Sequence, residues 1–289
     1  MNGYRYIEVR LTEWNDLFRL NQSFLEHFVF RGQGDATWPL ETSLRRMIIG
    51  YHTEKISPER IELYEQQMLA EFKWKYPSYQ TNVSLVPGEG DILEWLSLMQ
   101  HYGTRTRLMD FTQSLFVALY MALYGADNSD FAIWGLNCDM IDPTLLKRHG
   151  LFNNSMYDAA EATFPKKPII PWETTVQLYL FRPKICNERI SRQQGLFVMP
   201  SAITKEFNAV LSEYCPMDSP IIVKMEDLIK QSNVPELASQ NYGVIKFVIP
   251  NNMRYSCTRA LEEMNISAET MFPGLAGLAQ SVNRLRNEY

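Results

Sequence analysis

Short apolar runs and helical patterns are mixed along the whole chain. The strand-like alternation of residues from Tyr4 to Arg10 predicts a first strand, and the apolar run from His27 to Gln33 predicts a second. Further strands are predicted at Thr106 to Met109, Phe131 to Leu136, Thr175 to Phe181, Leu196 to Met199, Ile221 to Met225 and Val244 to Ile249.

Helical spacing is clearest after Ser57, which is an N-cap candidate followed by Pro58 at the first helical position. The segment from Ser114 to Tyr124 is apolar on all sides, which predicts a central helix. Other helices are predicted from Trp14 to Leu25 with Thr12 at the start, from Asp91 to Gln100 with Gly103 as terminator, and at Lys205 to Tyr214, Met253 to Met264 and Leu275 to Asn287.

Strands and helices do not alternate strictly, which predicts an α+β fold with a bent or split central sheet flanked by helices. The chain has no internal repeat and no linker of low complexity. We therefore expect a single domain over residues 1–289, with an N-terminal strand and helix over 1–26 and the core over 27–289.

Composition removes several classes of function. The 289 residues are 46% hydrophobic and carry a net charge of −5, which argues against nucleic-acid binding driven by overall charge. Four cysteines and four histidines are dispersed without ligand spacing, so neither a disulfide nor a metal site is expected. The apolar runs are too short to cross a bilayer and no secretion signal is visible, so we expect a cytoplasmic protein without a membrane partner.

The strand from His27 ends in Arg31, Gly32 and Gln33. An arginine at the end of an apolar strand must reach an anion or a carboxylate, because burial does not neutralise its guanidinium. Gly32 lacks a side chain, so a ligand could approach the backbone there. The alternative is a structural arginine paired with an internal carboxylate.

A polar segment precedes the central helix. It contains His101, Tyr102, Arg107, Asp110, Phe111, Thr112 and Ser114. A hydroxyl N-cap at Thr112 or Ser114 would leave free amides at the helix start, a position that favours phosphate. The alternative is structural: the hydroxyls only cap the helix, Asp110 pairs with Arg107, and His101 binds a carbonyl.

A third segment, residues 182–195, has four basic residues and one acidic residue, a local charge of +3. Such an excess is typical of a contact with a phosphate backbone, or of an ordinary solvated face. The basic residues are Arg182, Lys184, Arg189 and Arg192.

The sequence Phe30-Arg31-Gly32-Gln33 resembles the motif that names the FRG domain family. The segment His101 to Ala122, the segment Arg189 to Phe197 and the segment Ile266 to Leu278 resemble later blocks of that family. The first two blocks are also similar to those of ADP-ribosyltransferases that use NAD. This resemblance implies that Arg31 binds the NAD phosphates or ribose, and that Thr112 and Ser114 support the nicotinamide ribose.

The third block departs from the transferase pattern, since Gln193 stands where those enzymes place a catalytic glutamate. Glutamine can bind a ribose hydroxyl but carries no negative charge. The hypothesis is then an NAD-dependent ADP-ribosyltransferase in which Arg31 holds phosphate, helped by Arg105 or Arg107 and by the helix start at Ser114. Tyr102 or Phe111 stacks on nicotinamide, Gln193 holds the ribose, and His101 or Asp110 is the base.

The resemblance also implies a setting, that of a bacterial toxin or phage-defence effector with a macromolecular acceptor, RNA or protein, and an antitoxin protein as partner. The first alternative is a noncatalytic module that binds a nucleotide or nucleic acid. The second is a scaffold in which Arg31 and Asp110 form a buried ion pair.

Overall fold

A computed structural model describes residues 3–51, 57–79, 86–125, 128–141, 176–184, 188–234 and 242–284. Its strands form one eight-stranded sheet in the order β5-β6-β3-β2-β4-β8-β1-β7. β1 runs parallel to β7 and β8, and the other neighbours are antiparallel. The strands are β1 Arg5–Arg10, β2 Phe28–Gln33, β3 Met109–Thr112, β4 Phe131–Asn137, β5 Leu178–Phe181, β6 Gly195–Pro200, β7 Ile221–Lys224 and β8 Tyr242–Ile249.

Helices cover the sheet, which confirms the prediction of a mixed α and β fold. Two 3-10 helices span Trp14–Arg19 and Asn251–Met253. The α-helices are α1 Gln22–Leu25, α2 Ser43–Tyr51, α3 Pro58–Tyr79, α4 Ile92–His101, α5 Leu115–Tyr124, α6 Cys138–Ile141, α7 Glu188–Arg192, α8 Phe207–Leu211, α9 Met225–Ser232, α10 Arg254–Glu263, α11 Ala268–Met271 and α12 Leu275–Arg284.

The sheet is continuous, but its two halves are joined weakly at the centre. β2 pairs with β4 along all six of its residues, whereas β2 and β3 share the single register pair Phe30 and Thr112. Beyond that pair the two strands separate. The predicted bent or split sheet is therefore one sheet with a narrow junction between β2 and β3.

The central helix α5 lies directly on β2, and Gly32 makes this contact possible. A Cβ atom at Gly32 would lie 2.0 Å from the carbonyl oxygen of Ala118 and 2.4 Å from the amide nitrogen of Ala122. Phe28 and Phe30 pack in the same core beneath α5. Gly32 thus allows close helix packing, and it also contributes to the lining of the cleft described below.

The core has three main parts around the sheet. One lies beneath α5, and a second, beneath α4, includes Phe197 and Met199 of β6. The third lies on the opposite face and includes Met109 and Phe111 of β3. Because residues that face each other across two strands point to the same side, Asp110 lies on the α4 side with its partner Phe197. The cores beneath α4 and α5 therefore flank the β2–β3 junction.

The structure moves some predicted boundaries. The strand predicted at Thr106 to Met109 instead begins at Met109, where pairing with β6 starts. The carbonyl of Thr106 accepts hydrogen bonds from the Leu44 amide and the Ser43 hydroxyl, so a helix, not a strand, satisfies it. That helix, α2, was not predicted from the sequence, and neither was α9. Thr175, which begins one predicted strand, and residues 285–287, which end the last predicted helix, lie outside the described residues, as does Cys186.

In the described part of the chain, no helix is both long and apolar enough for a membrane span. The described residues also bring together no group of three His, Cys, Asp or Glu side chains that would hold a metal. Cys138, Cys215 and Cys257 are buried free thiols, and burial raises the pKa of each, to about 12 for Cys215 and about 11 for Cys257.

Candidate functional site

A cleft of about 250 Å³ opens at the point where β2 and β3 separate. Its walls are the last turn of α4 and the first half of α5, and a third wall comes from α7 and the turn that follows it. Of the residues predicted for the site, the cleft brings together Arg31, Gly32, His101, Asp110, Phe111, Thr112, Arg189 and Gln193.

Arg31 lies across the gap between the two strands. Its Nη1 atom donates a hydrogen bond to the carbonyl oxygen of Asp110, at 2.7 Å. Burial lowers the pKa of the Arg31 guanidinium, the Asp110 carboxylate raises it in part, and the charge of Arg46 lowers it further. An arginine stays charged in a protein, and the half-buried Arg31 cation keeps further N–H donors that no other described residue occupies.

Asp110 is exposed, and its carboxylate forms no ion pair with the described residues. The scaffold alternative required a buried ion pair between Arg31 and Asp110, and it is therefore wrong. Arg31 binds the backbone carbonyl of Asp110 and leaves the carboxylate open to the cleft.

His101 ends α4 and lies partly buried in the cleft wall. Its ring meets Tyr102 edge-on, with 4.9 Å between ring centroids. Burial and the charge of Arg189 both lower the pKa of His101. Its imidazole is therefore neutral at pH 7 and able to accept a proton.

The third wall is held by the α11 segment. The Gln193 Nε2 atom donates to the Met271 carbonyl at 3.0 Å, which leaves the amide oxygen of Gln193 for a ligand. The Arg189 guanidinium lies over the Phe272 ring, 5.0 Å from its centroid, and forms no ion pair with the described residues. Among the described residues, the cleft therefore has two cations, Arg31 and Arg189, against the single carboxylate of Asp110.

Thr112 and Ser114 stabilise the turn into α5. Thr112 Oγ1 donates to the Gln193 carbonyl at 2.7 Å and accepts from the Ser114 amide at 3.1 Å. Ser114 Oγ accepts from the Val117 amide at 3.2 Å, which confirms Ser114 as the N-cap. Both hydroxyls thus have structural partners, and Thr112 joins the third wall to β3.

The prediction that Arg107 holds phosphate is wrong. It is fully buried and forms a bidentate ion pair with Glu65 of α3, with Nε 2.8 Å from Oε1. Its Nη1 atom also donates to the Ser201 carbonyl at 3.0 Å. The structural alternative, in which Arg107 pairs with Asp110, is wrong on this point, since Glu65 takes that place.

The ligand-binding roles predicted for Gln33 and Phe111 are also wrong. Gln33 accepts a hydrogen bond from Trp134 Nε1 at 2.7 Å and donates to the Pro39 carbonyl at 2.9 Å, so its amide is satisfied within the protein. Phe111 contributes to the cleft lining, but its ring packs in the core on the opposite face and is 3% exposed. A ring so placed is not free to stack on nicotinamide.

Tyr102 lies outside the cleft, in a neighbouring groove beside α3. It is 61% exposed. The stacking role predicted for Tyr102 in the cleft is therefore not supported by its position.

The basic residues of the third segment have different surroundings. Arg192 pairs with Glu188 and donates to the carbonyls of Glu269 and Thr270. The backbone amide of Lys184 donates to the buried Glu94 carboxylate at 2.6 Å, and Arg182 is half-buried. Arg189 alone of the four lines the cleft.

Two features escaped the sequence prediction. Ser97 and Gln100 line the cleft from α4, and they are polar positions on the same side of an otherwise apolar helix as His101. Glu65 follows Ile61 by four residues on the apolar stripe of α3, so its position signalled a buried cation partner.

Comparison with known proteins gives one match. Residues 26–130 match the FRG domain family, which is a little more than a third of the chain. No curated protein and no solved structure matches the chain significantly. The match spans β2 through α5 and ends just before β4, so the later blocks that resembled the family lie outside it. The chain therefore contains an FRG domain, and this domain supplies Arg31, His101 and Asp110 to the cleft.

Proposed function

We propose that the cleft binds NAD and transfers its ADP-ribose group to a macromolecular acceptor. The observation that carries the proposal is Arg31, a half-buried guanidinium that uses one donor on a backbone carbonyl and faces the cleft beside Arg189. Two cations around a small space favour an anionic ligand, and a diphosphate is such a ligand.

The dimensions of the cleft limit how NAD would bind. Ligand sites usually measure about 300–1,000 Å³, so a cleft of about 250 Å³ holds one end of a dinucleotide while the rest lies along the open side. The nicotinamide ribose would lie near Asp110 and the free amide oxygen of Gln193. The diphosphate would lie against Arg31 and Arg189.

In the proposed reaction, one bond to the anomeric carbon forms and one breaks. A nucleophilic atom of the acceptor bonds to the anomeric carbon of the nicotinamide ribose, while the bond from that carbon to nicotinamide breaks. Nicotinamide leaves with the electron pair and becomes neutral, and the acceptor proton passes to neutral His101. Asp110 supplies the negative charge that stabilises positive character at the anomeric carbon.

The substitution Arg31→Lys tests this proposal because lysine keeps the charge but loses the planar fork. The loss of a charge-assisted contact of roughly 1.5–3 kcal/mol would weaken NAD binding roughly ten- to 150-fold. Calorimetry of NAD binding and nicotinamide release in the presence of cell extract measure the effect. Arg259→Lys, on the exposed surface of α10, is the control.

One observation favours the noncatalytic alternative. Glu188, the glutamate near the third block, pairs with Arg192 and does not line the cleft. A module that only binds the nucleotide would show salt-sensitive NAD affinity and would leave NAD intact. If wild type and Arg31→Lys bind NAD equally, both the transferase and this alternative are wrong.

A further inference from the structure

A second cavity, which we call the tyrosine groove, lies next to the cleft. It is lined by Met68, Phe72, Tyr76 and Tyr79 of α3 together with Tyr102, and its volume is about 500 Å³. The α3 residues follow each other at helical spacing, so one face of α3 forms most of the lining.

The groove has a rigid floor and exposed sides. Phe72 stacks on Tyr76 at 5.6 Å, and Tyr76 meets Trp95 edge-on at 5.5 Å between ring centroids. Tyr79 is 84% exposed and Tyr102 is 61% exposed. Exposed tyrosines above a packed aromatic floor are typical of surfaces that bind protein partners.

The groove and the cleft share the end of α4. His101 lines the cleft, and the next residue, Tyr102, lines the groove. A chain that occupies the groove would therefore have its neighbouring residues at the cleft mouth, beside the neutral imidazole proposed as the base.

The charges of the groove select the class of partner. Its lining has one acidic residue, Glu71, and one basic residue, Lys75, which form an ion pair with each other. A surface for RNA would present unpaired cations to the phosphates. A charge-balanced aromatic groove instead suits an apolar or aromatic side chain of a polypeptide.

We propose that the tyrosine groove docks an apolar segment of a protein acceptor, so that a nucleophilic side chain of that segment reaches the cleft. The inference rests on the proposed transferase function and narrows its acceptor from a macromolecule to a protein. Under this proposal, Tyr102 contacts the protein acceptor and does not stack on nicotinamide.

The test uses peptides selected from a randomised library on the full-length protein and then labelled with a fluorophore. We expect the selected peptides to contain apolar or aromatic residues and to bind about tenfold or more weakly to Tyr79→Ala and to Tyr102→Ala. Tyr255→Ala, which removes a 70% exposed tyrosine on α10, is the matched control and should bind normally. Binding should change little between roughly 50 and 200 mM salt.

Three outcomes overturn the proposal. If the selected peptides bind both groove variants as tightly as they bind wild type, the docking role of the groove is wrong while the transferase function stands. A single-stranded RNA that binds with steep salt dependence, and loses affinity in Tyr79→Ala, shows that the partner is nucleic acid. If the peptides need the groove but wild type neither binds nor cleaves NAD, the acceptor role fails together with the transferase function.

Discussion

The buried ion pair between Glu65 and Arg107 joins α3 to the segment that leads into β3. Both side chains are almost fully buried, and Arg107 uses Nε and Nη2 on the carboxylate. The substitution Glu65→Ala would leave a buried guanidinium without its carboxylate. Breaking such a pair destabilises a protein by about 3–5 kcal/mol.

That free energy corresponds to a lower melting temperature by roughly 6–10 °C, at about 2 °C per kcal/mol for a chain of this size. Differential scanning calorimetry measures it directly. Glu71→Ala is the matched control on the same helix, because Glu71 pairs with Lys75 at the exposed surface and should change the melting temperature far less.

The double variant Glu65→Leu with Arg107→Met separates the structural role from ligand binding. Replacing both partners by apolar residues of similar size should recover most of the lost stability, because no unpaired charge remains. NAD binding should stay at the wild-type level. If Glu65→Ala loses less than about 1 kcal/mol, or if the stable double variant loses NAD binding, the structural role assigned to Arg107 is wrong.

Two further predictions concern the cleft walls. Gly32→Ala should unfold or severely destabilise the protein, because its Cβ would lie 2.0 Å from a backbone oxygen of α5. Gly103→Ala is the control, since Gly103 has φ +86° and its Cβ would meet no atom within 4 Å. In denaturant titrations, Gly103→Ala should lower the unfolding free energy by only about 1–3 kcal/mol. His101 titrates below its ordinary pKa, so its contribution to stability is present above pH 6.5 and declines as the pH falls through its folded pKa. Arg189→Ala should raise the His101 pKa in an NMR titration, and an unchanged or lower pKa would contradict this assignment.

Much of the site could be located from local sequence. The polar segment before α5 was found because nine of its fourteen residues, from His101 to Ser114, are ionisable or hydroxyl-bearing and precede a wholly apolar helix. A hydroxyl cap at Thr112 or Ser114 was predicted because a hydroxyl at a helix start binds a free amide, and the structure places it at Ser114. The start of α3 at Pro58 was predicted for a similar local reason.

Tertiary structure decided which polar residues remain available. Arg31 and Arg107 both adjoin apolar strands, yet Arg107 is neutralised by Glu65, 42 positions away. Among the described residues, Arg31 hydrogen-bonds only to the Asp110 carbonyl. Likewise, Gln33 is satisfied by Trp134, 101 positions away. Side-chain patterns within a segment determine helices, strands and caps because those depend on neighbours a few residues apart. The partner of a buried charge is set by packing between distant segments, and that packing separates a structural arginine from one that faces a ligand.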